Sequence, residues 1–363
     1  MIYLDQAATS FPKLDVVKQA VMSALDVAGN ANRSSNMDSS RLIFEARRNV
    51  AQFFGLSDFH RVILNGGNTE SLNTCIKGIL KEKDHVITTY AEHNSVLRPL
   101  YELEKKGIIT LTICAPYLED IKNHIQKNTR MVVMTHSSNV TGEIFDVDLI
   151  GKYCKECGVL FMVDAAQSAG HIPVSMENID ILCFSGHKGL LGIGGIGGFC
   201  VKDIEVEPLI SGGIGMDSFN REMPEAYPEH LEAGTQNLVG IAALNAGIQY
   251  VQSHQKEIAE KECFLLQRLY EGLSGYVEFY SSLENSTPIV AINIPGKESA
   301  YVSDVLNYKY GIVTRCGAHC APLMHKHLKT EDKGIVRLSI SFQNTIEDID
   351  LAICSIREIS NDY

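Results

Sequence analysis

Three features that would place the chain in a membrane, secretory or nucleic-acid-binding class are missing from its 363 residues. No run of about 18 apolar residues occurs, so no membrane-spanning helix is expected. Met1 is followed closely by Tyr3 and Asp5 rather than by a basic and then an apolar segment, so no secretory leader is expected. The net charge of −12 and the pI near 5.5 argue against a nucleic-acid-binding surface.

Internal repeats and low-complexity tracts are also absent, and 45% of the residues are apolar. A chain of this length and composition can bury a large core, and it favours two domains over one. The ten cysteines are widely spread, and several, such as Cys183, Cys200 and Cys354, lie in apolar stretches. In the absence of a leader, this usage predicts a cytoplasmic location and mostly free thiols.

From residue 60 onward, short apolar runs rich in β-branched residues alternate with longer helical patterns. The predicted strands are residues 61–64, 85–89, 108–113, 130–135, 159–163, 181–184 and 198–201. The helical patterns between them include residues 69–80, 95–105 and 147–157. This alternation predicts α/β units and a mainly parallel sheet, in which ligands bind beyond the carboxyl ends of the strands.

The pattern changes after residue 235. Residues 237–253, 256–273 and 299–309 read as helices, residues 288–294 as a strand, and a last helix begins at Ile346. We therefore predict an N-terminal segment (1–15), a large α/β domain (16–235) and a smaller α+β domain (236–363). A further helix, at about residues 13–27, is expected to pack against the smaller domain.

Two polar residues follow neighbouring predicted strands. Lys188 ends the segment Phe184-Ser185-Gly186-His187-Lys188, and Asp164 ends an earlier apolar strand. A lysine beside a buried cleft loses its proton more readily, and the neutral amine can form a Schiff base with an aldehyde. A carboxylate can pair with the ring nitrogen of a cofactor. Taken singly, Lys188 is more often a surface lysine, and Asp164 a helix cap or ion-pair partner.

Three more motifs follow predicted strands. The segment Gly66-Gly67-Asn68-Thr69 joins a strand to a helix, and its N–H groups and hydroxyl could hold a phosphate, although a plain tight turn is an equally simple interpretation. His93 could stack on a planar ring. Asn139 could donate a hydrogen bond to a ring substituent.

Together these motifs resemble the class V, fold-type I pyridoxal-phosphate enzymes, and more closely the cysteine desulfurases and selenocysteine lyases. The resemblance runs from Leu4-Asp5-Gln6-Ala7-Ala8-Thr9 to Arg337-Leu338-Ser339. Its most specific part combines Asp164-x-x-Gln167 and Ser185-Gly186-His187-Lys188 with Glu232-Ala233-Gly234-Thr235. The implied fold is an α/β, fold-type I PLP-dependent transferase. Its large domain has a mainly parallel seven-stranded sheet, and a smaller α+β domain is C-terminal.

The resemblance implies pyridoxal 5′-phosphate as the cofactor. Lys188 matches the lysine that binds the cofactor aldehyde, Asp164 the partner of the ring nitrogen and Gln167 the partner of the phenolic oxygen. His93 matches the ring-stacking histidine and a proton carrier. The residues implied around the phosphate are Thr69, Ser185 and His187, the Asn68 backbone, and Thr235, which in this family belongs to a loop completing the site of the second subunit in a homodimer.

At the substrate end, Arg337 matches the arginine that binds the substrate carboxylate through two parallel hydrogen bonds, with Asn139 and Arg315 assisting. The segment Arg315-Cys316-Gly317-Ala318-His319-Cys320 matches the loop with the nucleophilic cysteine, which is Cys320 here. We expect His319 and Arg315 to favour its thiolate. Cys316 departs from the family pattern and could resolve a persulfide, form a regulatory disulfide or fill space, the last being favoured.

The implied activity is conversion of L-cysteine to L-alanine with a persulfide on Cys320, followed by delivery to an acceptor protein. L-selenocysteine is an alternative substrate, and a class V aminotransferase, a kynureninase-like hydrolase or a sulfur-relay protein are alternative functions. No metal site is expected. Cys154-x-x-Cys157 is a single pair, and His325-x-His327 has no obvious carboxylate partner.

Overall fold

Eight strands and six α-helices make up the first 201 residues of the computed structural model, which describes residues 1–27 and 37–362. In chain order the elements are β1 (Ile2–Tyr3), α1 (Asp15–Leu25), α2 (Asp38–Phe54), β2 (Val62–Asn65), α3 (Asn68–Ile79), β3 (Asp84–Thr89), α4 (Asn94–Lys105), β4 (Ile109–Cys114), α5 (Leu118–His124), β5 (Thr129–Thr135), α6 (Val147–Cys157), β6 (Leu160–Asp164), β7 (Ile181–Ser185) and β8 (Gly197–Val201). All seven strands predicted from the sequence are present, with ends shifted by at most one residue.

Strands β2 to β8 form one sheet in the order β2-β8-β7-β6-β5-β3-β4. The five strands from β7 to β4 are parallel, and β8 is antiparallel to both β7 and β2. This confirms the predicted, mainly parallel seven-stranded sheet. The carboxyl ends of β2, β3, β5, β6 and β7 therefore meet at one edge, where Thr135 lies opposite Asp164, and Asp164 opposite Cys183.

Apart from the partly exposed edge strand β4, the strands of this sheet are buried on both faces, which is why they are continuous apolar runs. Along β5, Val132 and Met134 join one hydrophobic cluster, with α2 and α6, whereas Met131 and Val133 join another, with α3 and α4. Within residues 1–27 and 37–362, no helix combines the length and apolar content that crossing a membrane requires.

The elements after β8 form the smaller part of the molecule, together with strand β1. Its elements are α7 (Leu238–Leu273), β9 (Glu278–Phe279), β10 (Ile289–Asn293), α8 (Ser299–Tyr310), β11 (Ile312–Val313), β12 (Arg315–Gly317), α9 (Pro322–Leu328), β13 (Ile335–Ser339) and α10 (Ile346–Asn361). Strands β12, β13, β10 and β9 form an antiparallel sheet in that order. The N-terminal strand β1 pairs with β11, so the chain begins in this smaller part.

Helix α7 connects the two parts. The two helices predicted at 237–253 and 256–273 are one element, bent at His254, whose backbone leaves the helical region (φ −126°). Before the bend, Ile241 and Leu244 pack in the core of the large sheet; after it, Leu265 and Leu269 pack in a separate core under the small sheet. Helix α7 also packs against α1 and α2. The domain boundary at residue 236 stays a prediction.

Candidate active site

A cleft of about 550 Å³ opens at the carboxyl edge of the large sheet. It brings together all but one of the residues predicted to contact a cofactor: Asn68, Thr69, His93, Asn139, Asp164, Gln167, Ser185, His187 and Lys188. They are far apart in the chain but follow strands that end at this edge. Their assembly follows directly from the strand order, and their individual roles stay predictions.

Lys188 lies in the turn after β7 and is half-buried. Burial, the largest cause, and the positive charges of Arg337 and Arg315 together lower the pKa of its amine from 10.5 to about 8, against the raising effect of Asp164. A substantial fraction of the amine is therefore neutral just above neutral pH. Only the neutral amine can attack an aldehyde.

Asp164, the last residue of β6, is buried at the base of the cleft. Its Oδ1 accepts two hydrogen bonds of 2.9 Å, from the Asn68 side-chain amide and from the Ala166 backbone N–H. Both donors bind the same oxygen, which leaves Oδ2 for a ring nitrogen. Gln167, one turn further, donates from Nε2 to the Ala7 carbonyl at 3.1 Å and so anchors the N-terminal segment beside the cleft.

The N-terminus of α3 faces the cleft, with Gly67 as its N-cap (φ 141°). A Cβ on Gly197 would lie 2.8 Å from the Gly67 Cα atom, so the start of β8 and the start of α3 can approach only because residue 197 is glycine. Helix N-termini carry unpaired N–H groups and a partial positive charge, which suits a phosphate. The Thr69 hydroxyl is 2.8 Å from the Ser95 hydroxyl.

His93 caps helix α4. Its Nδ1 accepts a hydrogen bond of 3.0 Å from the Ser95 N–H, which assigns the proton of the neutral ring to Nε2. Burial lowers the pKa of the ring, opposed by the negative charge of Asp164. Ser95 also contacts Nδ1 through its hydroxyl at 2.9 Å and was not predicted from the sequence. The Ser95 hydroxyl therefore contacts both the His93 ring and the Thr69 hydroxyl.

Glu92 is a second site neighbour that the sequence did not reveal. It is fully buried, and burial raises the pKa of its carboxyl to about 8, so the group is mostly protonated at neutral pH. Its Oε1 accepts hydrogen bonds from the Thr89 hydroxyl (2.6 Å) and the Thr135 N–H (3.0 Å). The only sequence signal was its position next to His93.

Arg337, in the middle of β13, is almost completely buried and is not among the residues that line the 550 Å³ cleft. It donates to the Asp5 carboxylate at 2.6 Å and to the Asn139 carbonyl at 2.9 Å. Its Nε is buried and has no hydrogen-bond partner among residues 1–27 and 37–362. Arg315 lies directly opposite Arg337 across β12 and β13. Two neighbouring guanidinium groups can together bind a carboxylate.

Cys320 is exposed on the loop between β12 and α9. Its Sγ is 4.0 Å from Nη2 of Arg315. The backbones of His319 (φ 49°) and Cys320 (φ 57°) are both left-handed, a conformation that side chains other than glycine rarely adopt. Two hydrogen bonds of 2.7 Å hold the loop, from the Asn139 side-chain amide to the His319 carbonyl and from the Asn94 N–H to the Cys320 carbonyl.

The comparisons with known proteins agree with this geometry. The family model "Aminotransferase class-V" matches residues 2–351. The chain belongs to the class V aminotransferase family. A probable cysteine desulfurase of Methanothermobacter thermautotrophicus is 32% identical over 99% of this chain and 94% of its own length.

Two solved cysteine desulfurases have the same fold. The apo enzyme of Thermococcus onnurineus superposes with a TM-score of 0.90 at 32% identity, over 99% of this chain and 94% of that one. The enzyme CsdA of Escherichia coli superposes with a TM-score of 0.87 at 26% identity, over 98% and 94%. Class V aminotransferases use pyridoxal phosphate, which is therefore the cofactor of this chain.

The cleft of this class V enzyme fits that cofactor. Lys188 has an amine of lowered pKa, Asp164 has an oxygen that could face the ring nitrogen, and helix α3 has an N-terminus that could hold the phosphate. His187, half-buried beside Lys188, has its pKa lowered to about 4 by burial and by the charge of Lys188. Its ring is therefore neutral and can donate one hydrogen bond to a phosphate oxygen.

Thr235 does not line the cofactor cleft of its own chain. It lies in an adjoining cleft of about 250 Å³, whose wall also includes Glu232 and Leu64. Glu232 forms a buried, two-pronged ion pair with Arg47 of α2 (2.7 and 2.9 Å) and accepts from the Leu64 N–H at 2.7 Å. The Thr235 segment is thus fixed to the sheet edge with its threonine exposed.

The expectation that His319 supplies positive charge to the Cys320 thiol is wrong. Burial, followed by the charge of Arg337, lowers the pKa of the His319 ring to about 3, so the ring is neutral. Its Nδ1 lies 3.4 Å from Nε2 of His325, and its Nε2 lies 3.3 Å from the Arg315 carbonyl. His319 therefore faces the protein interior, and Arg315 remains as the cation beside the sulfur.

Cys316 faces away from the Cys320 side of the loop. It pairs with Val336 in the β12–β13 ladder, one residue along from the pair of Arg315 and Arg337. Side chains alternate between the two faces of a strand, and Val336 belongs to the core under the small sheet. Cys316 therefore points toward that core, which agrees with a packing role. All ten cysteines lie in the described part of the chain, and each is a free thiol.

The other candidate metal or redox groups do not assemble into sites. Cys154 is buried and Cys157 exposed on helix α6, and the His327 ring stacks on Tyr90 at 4.1 Å. In the ranges 1–27 and 37–362, no three histidine, cysteine or acidic residues cluster as metal ligands would.

Proposed function

We propose that the chain is a pyridoxal-phosphate-dependent cysteine desulfurase, which converts L-cysteine into L-alanine and keeps the sulfur as a persulfide on Cys320. The observation that carries this proposal is the position of Cys320. The thiol stands on a loop held to the cofactor cleft by Asn139 and by the N–H next to His93, with Arg315 beside the sulfur. An aminotransferase has no use for a cysteine held there. The relatives named above as cysteine desulfurases agree with it.

Arg337 and Arg315 bind the carboxylate of the substrate. Arg337 is already fixed by Asp5 and by the Asn139 carbonyl, so little side-chain freedom is lost on binding. This contact places the substrate amine toward Lys188 and its sulfur toward Cys320.

Pyridoxal phosphate, when bound, acts as an electron sink that stabilises negative charge at the α-carbon of the substrate. Asp164 would hold the ring nitrogen through Oδ2, and His93 would stack against the ring. The Lys188 amine, with a pKa of about 8, can take the proton from the α-carbon and return it later. The proton on Nε2 makes His93 a second proton donor in the cleft.

Cys320 then receives the sulfur. Its thiolate attacks the γ-sulfur of the substrate, so a sulfur–sulfur bond forms and the bond between Cβ and that sulfur breaks. The electron pair of the broken bond goes to Cβ, which takes a proton and becomes the methyl group of alanine. The guanidinium of Arg315 contacts the sulfur, with Nη2 at 4.0 Å from Sγ.

The proposal also covers the oligomeric state, the cellular location, the sulfur acceptor and a second substrate. We propose a homodimer in which Thr235 of each subunit completes the phosphate site of the other, since its own cleft does not contain it. A reducing cytoplasm suits ten free cysteines. The exposure of Cys320 suits delivery of the persulfide to an acceptor protein. L-selenocysteine would react at the same atoms.

The test is alanine release from L-cysteine and from L-selenocysteine, measured for the wild type and for Cys320→Ala with pyridoxal phosphate and a reductant. Alanine from L-cysteine with the wild type alone supports the proposal. If the variant forms alanine as fast as the wild type, Cys320 is not the nucleophile. If neither substrate yields alanine with an acceptor thiol present, the desulfurase proposal is wrong, and amino-group transfer to keto acids becomes the next assay.

A further inference from the structure

The side chain of Asn68 makes a contact that the proposed function does not use. It crosses from the first turn of α3 to the end of β6, where Nδ2 donates to Oδ1 of Asp164 at 2.9 Å. Because a carboxylate only accepts, the amide nitrogen must be the atom that faces Asp164. The contact joins the phosphate end of the cleft to the ring-nitrogen end.

The rest of the Asn68 side chain is poorly satisfied. Its Oδ1 is buried without a hydrogen-bond partner in the described part of the chain. A buried acceptor with no partner is unfavourable, so an amide at this position does not serve the stability of the fold alone. The amide forms its side-chain hydrogen bond through Nδ2, and the acceptor is Asp164.

The backbone fixes where the amide can reach. Gly67 and Asn68 pack directly on Gly197, where an added Cβ would lie 3.1 Å from the Asn68 nitrogen and 2.8 Å from the Gly67 Cα atom. Helix α3 therefore starts at one position relative to the sheet. The Ala166 N–H and the Asn68 amide both donate to Oδ1 of Asp164. Together they hold the carboxylate in one orientation, in which Oδ2 is available to the cofactor ring.

We infer that Asn68 is a positioning residue for the cofactor, which acts through Asp164 rather than through the phosphate. It sets the orientation of the carboxylate that holds the ring nitrogen protonated, and thereby the strength of the electron sink. This inference rests on the proposed function, because it requires pyridoxal phosphate in the cleft. It adds a side-chain role to a residue whose backbone alone was expected to lie near the phosphate.

The test compares Asn68→Ala, Asn68→Asp and Asn49→Ala in the full-length protein. Asn68→Asp keeps the size of the side chain but replaces the donor by a second carboxylate facing Asp164. Asn49→Ala is the matched control, since it removes an amide contact of 2.7 Å to Asn245 away from the cleft. Pyridoxal phosphate is titrated into cofactor-depleted protein, and binding is followed by visible absorbance across a range of pH. Thermal unfolding is recorded without cofactor.

We expect Asn68→Ala to bind pyridoxal phosphate on the order of ten-fold more weakly, and Asn68→Asp more weakly still. The midpoint of the absorbance titration shifts to higher pH in both, because a loosely held ring nitrogen withdraws fewer electrons. The cofactor-free Asn68→Ala protein unfolds at the wild-type temperature, since the lost hydrogen bond is offset by removal of the unpaired Oδ1. Asn49→Ala binds the cofactor as the wild type does.

Wild-type affinity and an unshifted titration in Asn68→Ala would overturn the inference while leaving the proposed function intact. A fall in affinity that merely accompanies a lower unfolding temperature, and that Asn49→Ala shares, would overturn it as well, because the role would then be structural. A wild-type protein that binds no pyridoxal phosphate would instead overturn the proposed function, and the inference with it.

Discussion

The side-chain amide of Asn139 donates a hydrogen bond of 2.7 Å to the backbone carbonyl of His319, the residue before Cys320. The backbone carbonyl of the same asparagine accepts from Arg337 at 2.9 Å. One residue after β5 therefore holds both the loop of the proposed nucleophile and the proposed carboxylate receptor. The groups proposed to contact the two ends of the substrate are therefore both anchored to Asn139, at the edge of the large sheet.

Asn139→Ala separates these two functions, because it removes the side-chain bond to the loop and keeps the backbone bond to Arg337. We expect kcat for alanine formation to fall about three- to ten-fold, the worth of one hydrogen bond, while KM for L-cysteine changes less than about two-fold. Steady-state kinetics checks this split. Asn94→Ala is the control, since Asn94 binds the Cys320 carbonyl through its backbone N–H. A raised KM with unchanged kcat would instead assign the Asn139 amide to the substrate.

The two cysteines of the loop are expected to differ sharply. Cys320→Ser should lower alanine formation by on the order of a hundred-fold or more, because the hydroxyl is a poor nucleophile toward sulfur, while cofactor absorbance stays as in the wild type. Cys316→Ser should keep the rate within about two-fold, because its side chain points to the opposite face of β12. Mass spectrometry after a single turnover should find the added sulfur on the peptide with Cys320. Transfer of that sulfur to Cys316 would contradict its packing role.

The large sheet and the cofactor cleft could be predicted from the sequence for the same reason. Strands buried on both faces are continuous apolar runs, and a polar residue directly after such a run lies at the carboxyl edge. Asp164 and Lys188 were found in this way, and the structure places both in one cleft. Helix α2 was not predicted; its N-cap, Met37, makes no side-chain capping bond that would mark the start.

The properties that could not be predicted depend on register and burial. Whether Cys316 faces Cys320 or the core is decided by its pairing with Val336, which lies twenty residues further along the chain in a strand that the sequence pattern did not reveal. The charge of His319 likewise depends on the burial of its ring, which lowers the pKa. The sequence shows that His319 is next to Cys320, but it does not show that the ring is buried. Glu92 is a third case, since only its complete burial raises its pKa to about 8.

The lowered pKa of Lys188 predicts how cofactor capture depends on pH. Because the amine is protonated below a pKa of about 8, its reactive neutral form grows as pH rises toward that value and then saturates. The rate at which cofactor-free protein captures pyridoxal phosphate should therefore rise roughly ten-fold per pH unit below the pKa and level off above it. Stopped-flow absorbance measures this rate. Lys188→Ala should give no such phase, and a rate that is flat across about pH 6 to 9 would contradict the shifted pKa.

The buried ion pair of Arg47 and Glu232 should be the most costly pair to break in the segment that carries Thr235. Both side chains are 6% exposed, and Glu232 also accepts from the Leu64 N–H, so Arg47→Met leaves a buried carboxylate without its cation. We expect a loss of about 3–5 kcal/mol in the free energy of unfolding of the cofactor-free protein, and a smaller loss in the double variant Arg47→Met/Glu232→Leu. The matched control is Arg268→Met, which breaks a two-pronged pair with Asp350 that is about 40% exposed and should cost less than about 1 kcal/mol. Urea unfolding measures all three. Equal losses for Arg47→Met and Arg268→Met would show that burial does not strengthen the Arg47 pair, and that the Thr235 segment is held by other contacts.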